Sequence, residues 1–189
     1  MQLQTKQIGI ISALALLMAA TRMHHYGSAL HLPDASVAVF LLAGFFIASP
    51  LFFGALLLEA GALDYVAITQ LGVSDWCVTP AYWFLIPTYA VLWGAGRYYA
   101  RIHQYTASSL GVFSAVSLGA LSAAFVISNG SFYLFSGRHP NLSFAEYVAR
   151  LAEYYPQYLT GGLLYLACAA ALYAVFAARA PLTGKVVNK

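Results

Sequence analysis

The sequence predicts an all-α polytopic membrane protein, a single transmembrane domain over residues 1–189, and three observations carry that prediction. Hydrophobic residues make up 61% of the chain and charged residues 8%, whereas a soluble domain carries roughly 25% charged residues. A chain so poor in charge cannot cover a water-facing surface, which excludes most soluble enzyme classes and disordered linkers. The few charges cut the apolar sequence into runs of helical length, and proline, Ser/Thr/Asp and glycine stand at the ends of those runs.

Residues 7–21 are free of charge and lie between Lys6 and Arg22. No clear cleavage site follows them, so they predict a retained first span, short but extended by its snorkelling cations. Residues 35–73 hold only Glu59 and Asp64 as charges. One helix of that length would reach about 58 Å, against a hydrocarbon core of about 30 Å. The run therefore divides at Ser49-Pro50 into a second helix (36–48) and a third (51–70), because proline suits a first helical turn. The second is then shorter than the roughly 17 residues a span needs. A fourth helix is expected over 80–100 with Thr79 as N-cap, Pro80 at the first position and a kink at Pro87. A fifth is expected over 107–128, ended by Asn129-Gly130, and a sixth over 156–178, ended by Pro181. Asp34 or Ser36 is expected to cap the second helix. Tyr98, Tyr99, Tyr147, Tyr154, Tyr155 and Tyr158 suggest an interfacial belt.

Six helices put both termini on one side, and the positive-inside rule makes that side cytoplasmic. Lys6, Arg97, Arg101, Arg179, Lys185 and Lys189 then face inward, and Arg22, Arg138 and Arg150 outward. A five-helix arrangement with Pro50 as a kink divides the charges equally well; the length argument favours six. Both place residues around 71–79 and 129–155 outside. The net charge of +3 is scattered beside apolar runs and is no nucleic-acid footprint. Ala15-xxx-Ala19 and Ala115-xxx-Gly119-xxx-Ala123 permit close helix approach, either within the bundle or against a partner membrane protein. Asn141-Leu142-Ser143 matches a glycosylation acceptor, a short motif of little weight.

Most proton-active groups gather at the outer end: Asp34, Asp64, Asp75, Glu146, Glu153, His24, His25, His31 and His139. Such a mouth suggests capture of a solute from outside. Cys77 stands out in the loop Ser74-Asp75-Trp76-Cys77-Val78-Thr79-Pro80. A nearby helix N-terminus favours a thiolate, which is a nucleophile and a soft metal ligand, while Asp75 opposes it. Cys168 lies in an apolar helix interior and reads as packing. Neither cysteine has CxxC spacing, which argues against a dithiol redox site or a zinc ribbon. Asp64 near the end of a membrane helix is costly unless paired, with Arg150 as a candidate counter-charge. His25, after the first helix, and Tyr82, in the first turn of the fourth, complete the candidates. For each a structural role is the alternative: a small buried residue for Cys77, an interfacial ring for His25 and Tyr82, a snorkelling carboxylate for Asp64, a solvated cation for Arg150.

The length, the six short helices, LPDASVAVFLLAGF at 32–45, LDYVA around Asp64 and DWCVTPAYW at 75–83 resemble the BtuM family. These are vitamin B12 transporters related to the S components of energy-coupling factor transporters. The resemblance runs over nearly the whole chain. It implies a six-helix S-component-like bundle in a bacterial inner (cytoplasmic) membrane, with cobalamin bound at the outer face. By the match, Cys77 would be the cobalt ligand, with His25, Asp64, Tyr82 and Arg150 around the corrinoid. Ala15 and Ala19 resemble the small-residue motif by which S components dock on an energy-coupling module. The chain has no GxxxxGK[ST] phosphate loop, so any energy source would be another protein. Cys77 is further expected to displace cyanide from cyanocobalamin. The competing expectations are a haem or quinone membrane redox protein, whose haem would need axial ligands in the bundle, and a structural membrane subunit.

Overall fold

The computed structural model describes residues 2–22 and 32–179. Among them the chain is all-helical, with α1 (Gln2–Arg22), α2 (Ser36–Phe46), α3 (Pro50–Leu71), a short 3-10 helix (Pro80–Phe84), α4 (Leu85–Ile102), α5 (Ala107–Phe135) and α6 (Phe144–Arg179). Three of these, α3, α5 and α6, are long and apolar enough to cross a membrane. His24, His25, His31, Pro181, Lys185 and Lys189 lie outside the described residues.

The short second helix solves its length problem by position. α2 has 11 residues, about 16 Å of helix, and Ala38, Val39, Phe40, Leu41 and Ala43 along it are fully buried. It forms the axis of the molecule, wrapped by α1, α3, α4 and α6, so it meets protein rather than solvent or lipid. Its tightest neighbour is α4. A Cβ added to Gly44 would lie 2.0 Å from the Trp93 carbonyl oxygen, and one added to Gly96 would lie 1.9 Å from that of Leu41. Only the lack of a side chain at both glycines lets these backbones touch. Phe40 stacks on Tyr89 of α4 with ring centroids 4.1 Å apart.

The break at Ser49-Pro50 is present. Ser49 Oγ accepts from the Phe52 N–H at 3.3 Å, Pro50 starts α3, and Ala48 takes a left-handed φ of 56° to turn the chain. Asp34 closes the start of α2, its carboxylate accepting from the Ser36 N–H at 2.9 Å. Gly72 ends α3 at φ 68°, a conformation that favours glycine.

Several expectations need correction. Thr79 and Pro80 start the 3-10 helix, not α4; α4 begins at Leu85, so Pro87 falls in its first turn, where a missing N–H costs no helical bond and forces no kink. Asn129-Gly130 does not end α5, which continues to Phe135. α6 starts at Phe144 and carries Pro156 inside it. That start is a capping box: the Ser143 N–H and hydroxyl both donate to Glu146, at 2.8 and 2.7 Å, and the Glu146 N–H returns to Ser143 Oγ at 3.3 Å. The outer connection between α5 and α6 therefore shrinks from 129–155 to 136–143. The tyrosine belt fails at two members. Tyr99 is buried and hydrogen-bonded to the Ser109 carbonyl at 3.0 Å, and Tyr158 packs against the core. Ala115, Gly119 and Ala123 are exposed, so the packing inside the bundle falls to Gly44, Gly96 and Gly162.

Candidate functional site

Consecutive helices run in opposite directions, and this brings the C-terminal ends of α1, α3 and α5 beside the N-terminal ends of α2, α4 and α6. These six ends, with the loops at 72–79 and 136–143, enclose a cavity of about 680 Å3. All five residues near this end that carry carboxylates, Asp34, Asp64, Asp75, Glu146 and Glu153, belong to the segments around it.

The cavity floor is built on Arg22, the last residue of α1 and itself only 8% exposed. Its guanidinium grips Asp64 of α3 with both ends of the fork, Nε to Oδ1 and Nη2 to Oδ2, each at 2.7 Å. The remaining nitrogen, Nη1, donates to Tyr89 at 2.8 Å, Ser36 at 3.0 Å and Asp34 at 3.4 Å. Such complete satisfaction is what permits an ion pair to be buried. Tyr82, from the 3-10 helix, donates its hydroxyl to Asp64 Oδ2 at 2.6 Å. The sequence candidate for the counter-charge of Asp64 was Arg150; the structure gives that role to Arg22, and Arg150 stands on the cavity wall. One cation between two carboxylates leaves the floor with a formal charge of −1 when all three are ionised.

Cys77 lies on the same cavity wall, in a turn closed by the Val78 N–H to the Asp75 carbonyl at 2.8 Å. The turn is tied to the facing loop by Arg138, whose guanidinium lies 4.4 Å from the centre of the Trp76 ring. Cys77 is free and exposed to the cavity. Partial burial pushes its thiol pKa up, Asp64 pushes it the same way, and Arg138 opposes them. The resting group is therefore a thiol, not the thiolate that a helix N-terminus would favour. The structure thus brings four of the five sequence candidates, Asp64, Cys77, Tyr82 and Arg150, to one cavity from four separate segments. The fifth, His25, lies outside the described residues.

The sequence reading missed four contributors. Arg22 looked like a snorkelling flank of the first span, and Asp34 like a helix cap. Tyr158 looked like a member of the interfacial belt, and Tyr89 carried no signal that set it apart from the other tyrosines. Tyr158 is informative because its side chain lines the cavity while its buried hydroxyl has no hydrogen-bond partner among the described residues, an arrangement that suits a polar ligand.

Among the described residues no group of three or more His, Cys, Asp and Glu side chains is placed to hold a metal ion. Cys77 can supply one sulfur ligand, which fits a metal that arrives with its other positions already filled by a carried ring. The two described histidines stand at opposite ends of the molecule: His139 lines this cavity and His103 follows α4. They cannot jointly ligate a haem. No family model and no curated protein matches the chain.

Proposed function

We propose that this protein is a membrane uptake protein, a six-span S-component-like bundle that captures cobalamin in the cavity at its acidic end, with Cys77 as the axial ligand of cobalt. The observation that carries the reading is the meeting of an accessible cysteine, a carboxylate–tyrosine pair, an arginine and a second tyrosine, Tyr158, around one cavity. A corrinoid presents amide side chains around its ring and one open metal face. Amides need donors and acceptors in equal measure, and Asp64, Tyr82, Tyr158 and Arg150 offer both. A cavity of about 680 Å3 is smaller than a whole cobalamin, so one face of the ring enters and the flanking loops meet the remainder.

Capture of cyanocobalamin is a ligand exchange at Co(III) without change of oxidation state. The Cys77 sulfur forms a bond to cobalt as the cobalt–carbon bond breaks, and cyanide leaves with the thiol proton as HCN. A raised thiol pKa is compatible with this, since the proton has a base to leave on. Energy for release inward would come from a coupling module docked through Ala15 and Ala19 of α1, both half-buried, or the protein acts without one.

Equilibrium dialysis of the purified protein against cyanocobalamin tests the reading. Saturable binding of one corrinoid per chain, weakened at least tenfold by Asp64→Asn, is expected; no retention of corrinoid by the folded wild type would end it.

A further inference from the structure

A second cavity, of about 890 Å3, occupies the opposite end of the molecule. It lies between α5 from Ala107 to Ser117 and α6 from Leu163 to Ala174, with Phe45, His103 and Tyr105 near its mouth. The ten-residue advance along α5 spans about 15 Å, half of a hydrocarbon core of about 30 Å. The cavity is therefore one leaflet deep. Its walls are almost entirely carbon, and at its inner end the buried Ser117 hydroxyl has no hydrogen-bond partner among the described residues.

Charge at this end has one sign. Lys6 on the first turns of α1 and Arg97 and Arg101 on the last turns of α4 stand here. All six acidic residues of the chain lie elsewhere: five in the segments around the cobalamin-side cavity, and Glu59 midway along α3. Arg97 is engaged with the Ala48 carbonyl and the Trp93 ring, whereas Arg101 is exposed. His103 holds Tyr173 at 3.1 Å and Tyr99 at 2.9 Å, which fixes these rings beside the α4–α5 connection.

We infer that this second cavity seats an acyl chain of an anionic phospholipid from the leaflet on the basic side, its headgroup at the α4–α5 connection near Arg101. The inference does not depend on cobalamin binding. An apolar slot one leaflet deep suits a chain that starts at an interface and ends at mid-bilayer. Arg101, exposed on the last turn of α4 two residues before the lining residue His103, selects a negative headgroup over a zwitterionic one.

Native mass spectrometry of the full chain in detergent, titrated with phosphatidylglycerol or phosphatidylcholine of the same chains, tests it. One phosphatidylglycerol retained per chain, at least tenfold more tightly than phosphatidylcholine, is expected. Ala170→Phe, which fills the slot, and Arg101→Gln each reduce that retention at least tenfold. Ala174 is exposed, so Ala174→Phe narrows the mouth without threatening the fold and gives the same loss. Equal retention of the two lipids, or undiminished retention in the folded Ala174→Phe variant, would overturn the inference.

Discussion

Arg22 and Asp64 show how one pair of side chains can hold four helices together at the floor of a site. The guanidinium on α1 reaches Asp64 on α3, Tyr89 on α4 and the start of α2 at once. Removing one partner leaves a buried charge uncompensated, which costs about 3–5 kcal/mol. Arg22→Met should therefore lower stability by an amount in that range and Asp64→Asn by somewhat less, read by thermal unfolding in detergent; an unchanged unfolding midpoint for both would contradict the assignment. Cys77 makes a prediction in pH. Its thiol pKa is raised, so the group is protonated at neutral pH and must lose its proton to bind metal. With aquacobalamin that proton goes to solvent. Apparent affinity should then rise about tenfold per pH unit toward the thiol pKa. With cyanocobalamin the proton leaves as HCN and the slope should be much shallower. Titrations giving equal slopes for the two corrinoids would refute sulfur coordination by this route. Chemical rarity singled out Cys77 and cost in lipid Asp64, and the structure lines one cavity with these two and with Tyr82 and Arg150. The sequence reading missed Arg22 as the partner of Asp64 because contacts 42 residues apart leave no local trace.

At the scale of elements, α2 and α4 are locked by two reciprocal glycines. A methyl at either position would enter the opposing backbone, where neither side can yield by changing a rotamer. Gly44→Ala and Gly96→Ala should each cost about 1–3 kcal/mol, the usual range for overpacking and at its upper end here. Gly119→Ala, with open space around its Cβ, should be neutral or slightly stabilising, so the three unfolding midpoints form an internal control. Helix ends were legible where the local chemistry was single-valued, as at Ser49-Pro50. They were misread where two signals competed. Asn129-Gly130 looks like a stop, yet Gly130 stays helical and admits the Tyr147 hydroxyl, which would lie 3.4 Å from a Cβ there. The sixth helix was expected to start at 156, whereas it starts at the Ser143-x-x-Glu146 box, and α6 absorbs Pro156 by giving up one backbone donor. The small-residue stripe on α5 resembled a packing face because spacing alone does not say which way a stripe points.

The whole molecule is polar along its long axis. Five of the six carboxylates, Cys77 and the open cavity gather at one end, while Lys6, Arg97 and Arg101 mark the other. This separation follows from six alternating helices and could be foreseen from charge placement, whereas the second cavity could not, since it depends on how α5 and α6 pack against each other. Membrane-impermeant maleimide should label Cys77 from one face of a reconstituted bilayer and Arg101→Cys, in a Cys77→Ala, Cys168→Ala background, from the other. Labelling of both from the same face would contradict the alternation.

The most direct test of the central claim is the absorption spectrum of cyanocobalamin mixed with the purified protein and with Cys77→Ala. Sulfur coordination predicts that the wild type shifts the corrin bands and releases one equivalent of cyanide, while the folded variant does neither. A spectral shift and cyanide release of the same size in Cys77→Ala would contradict the account.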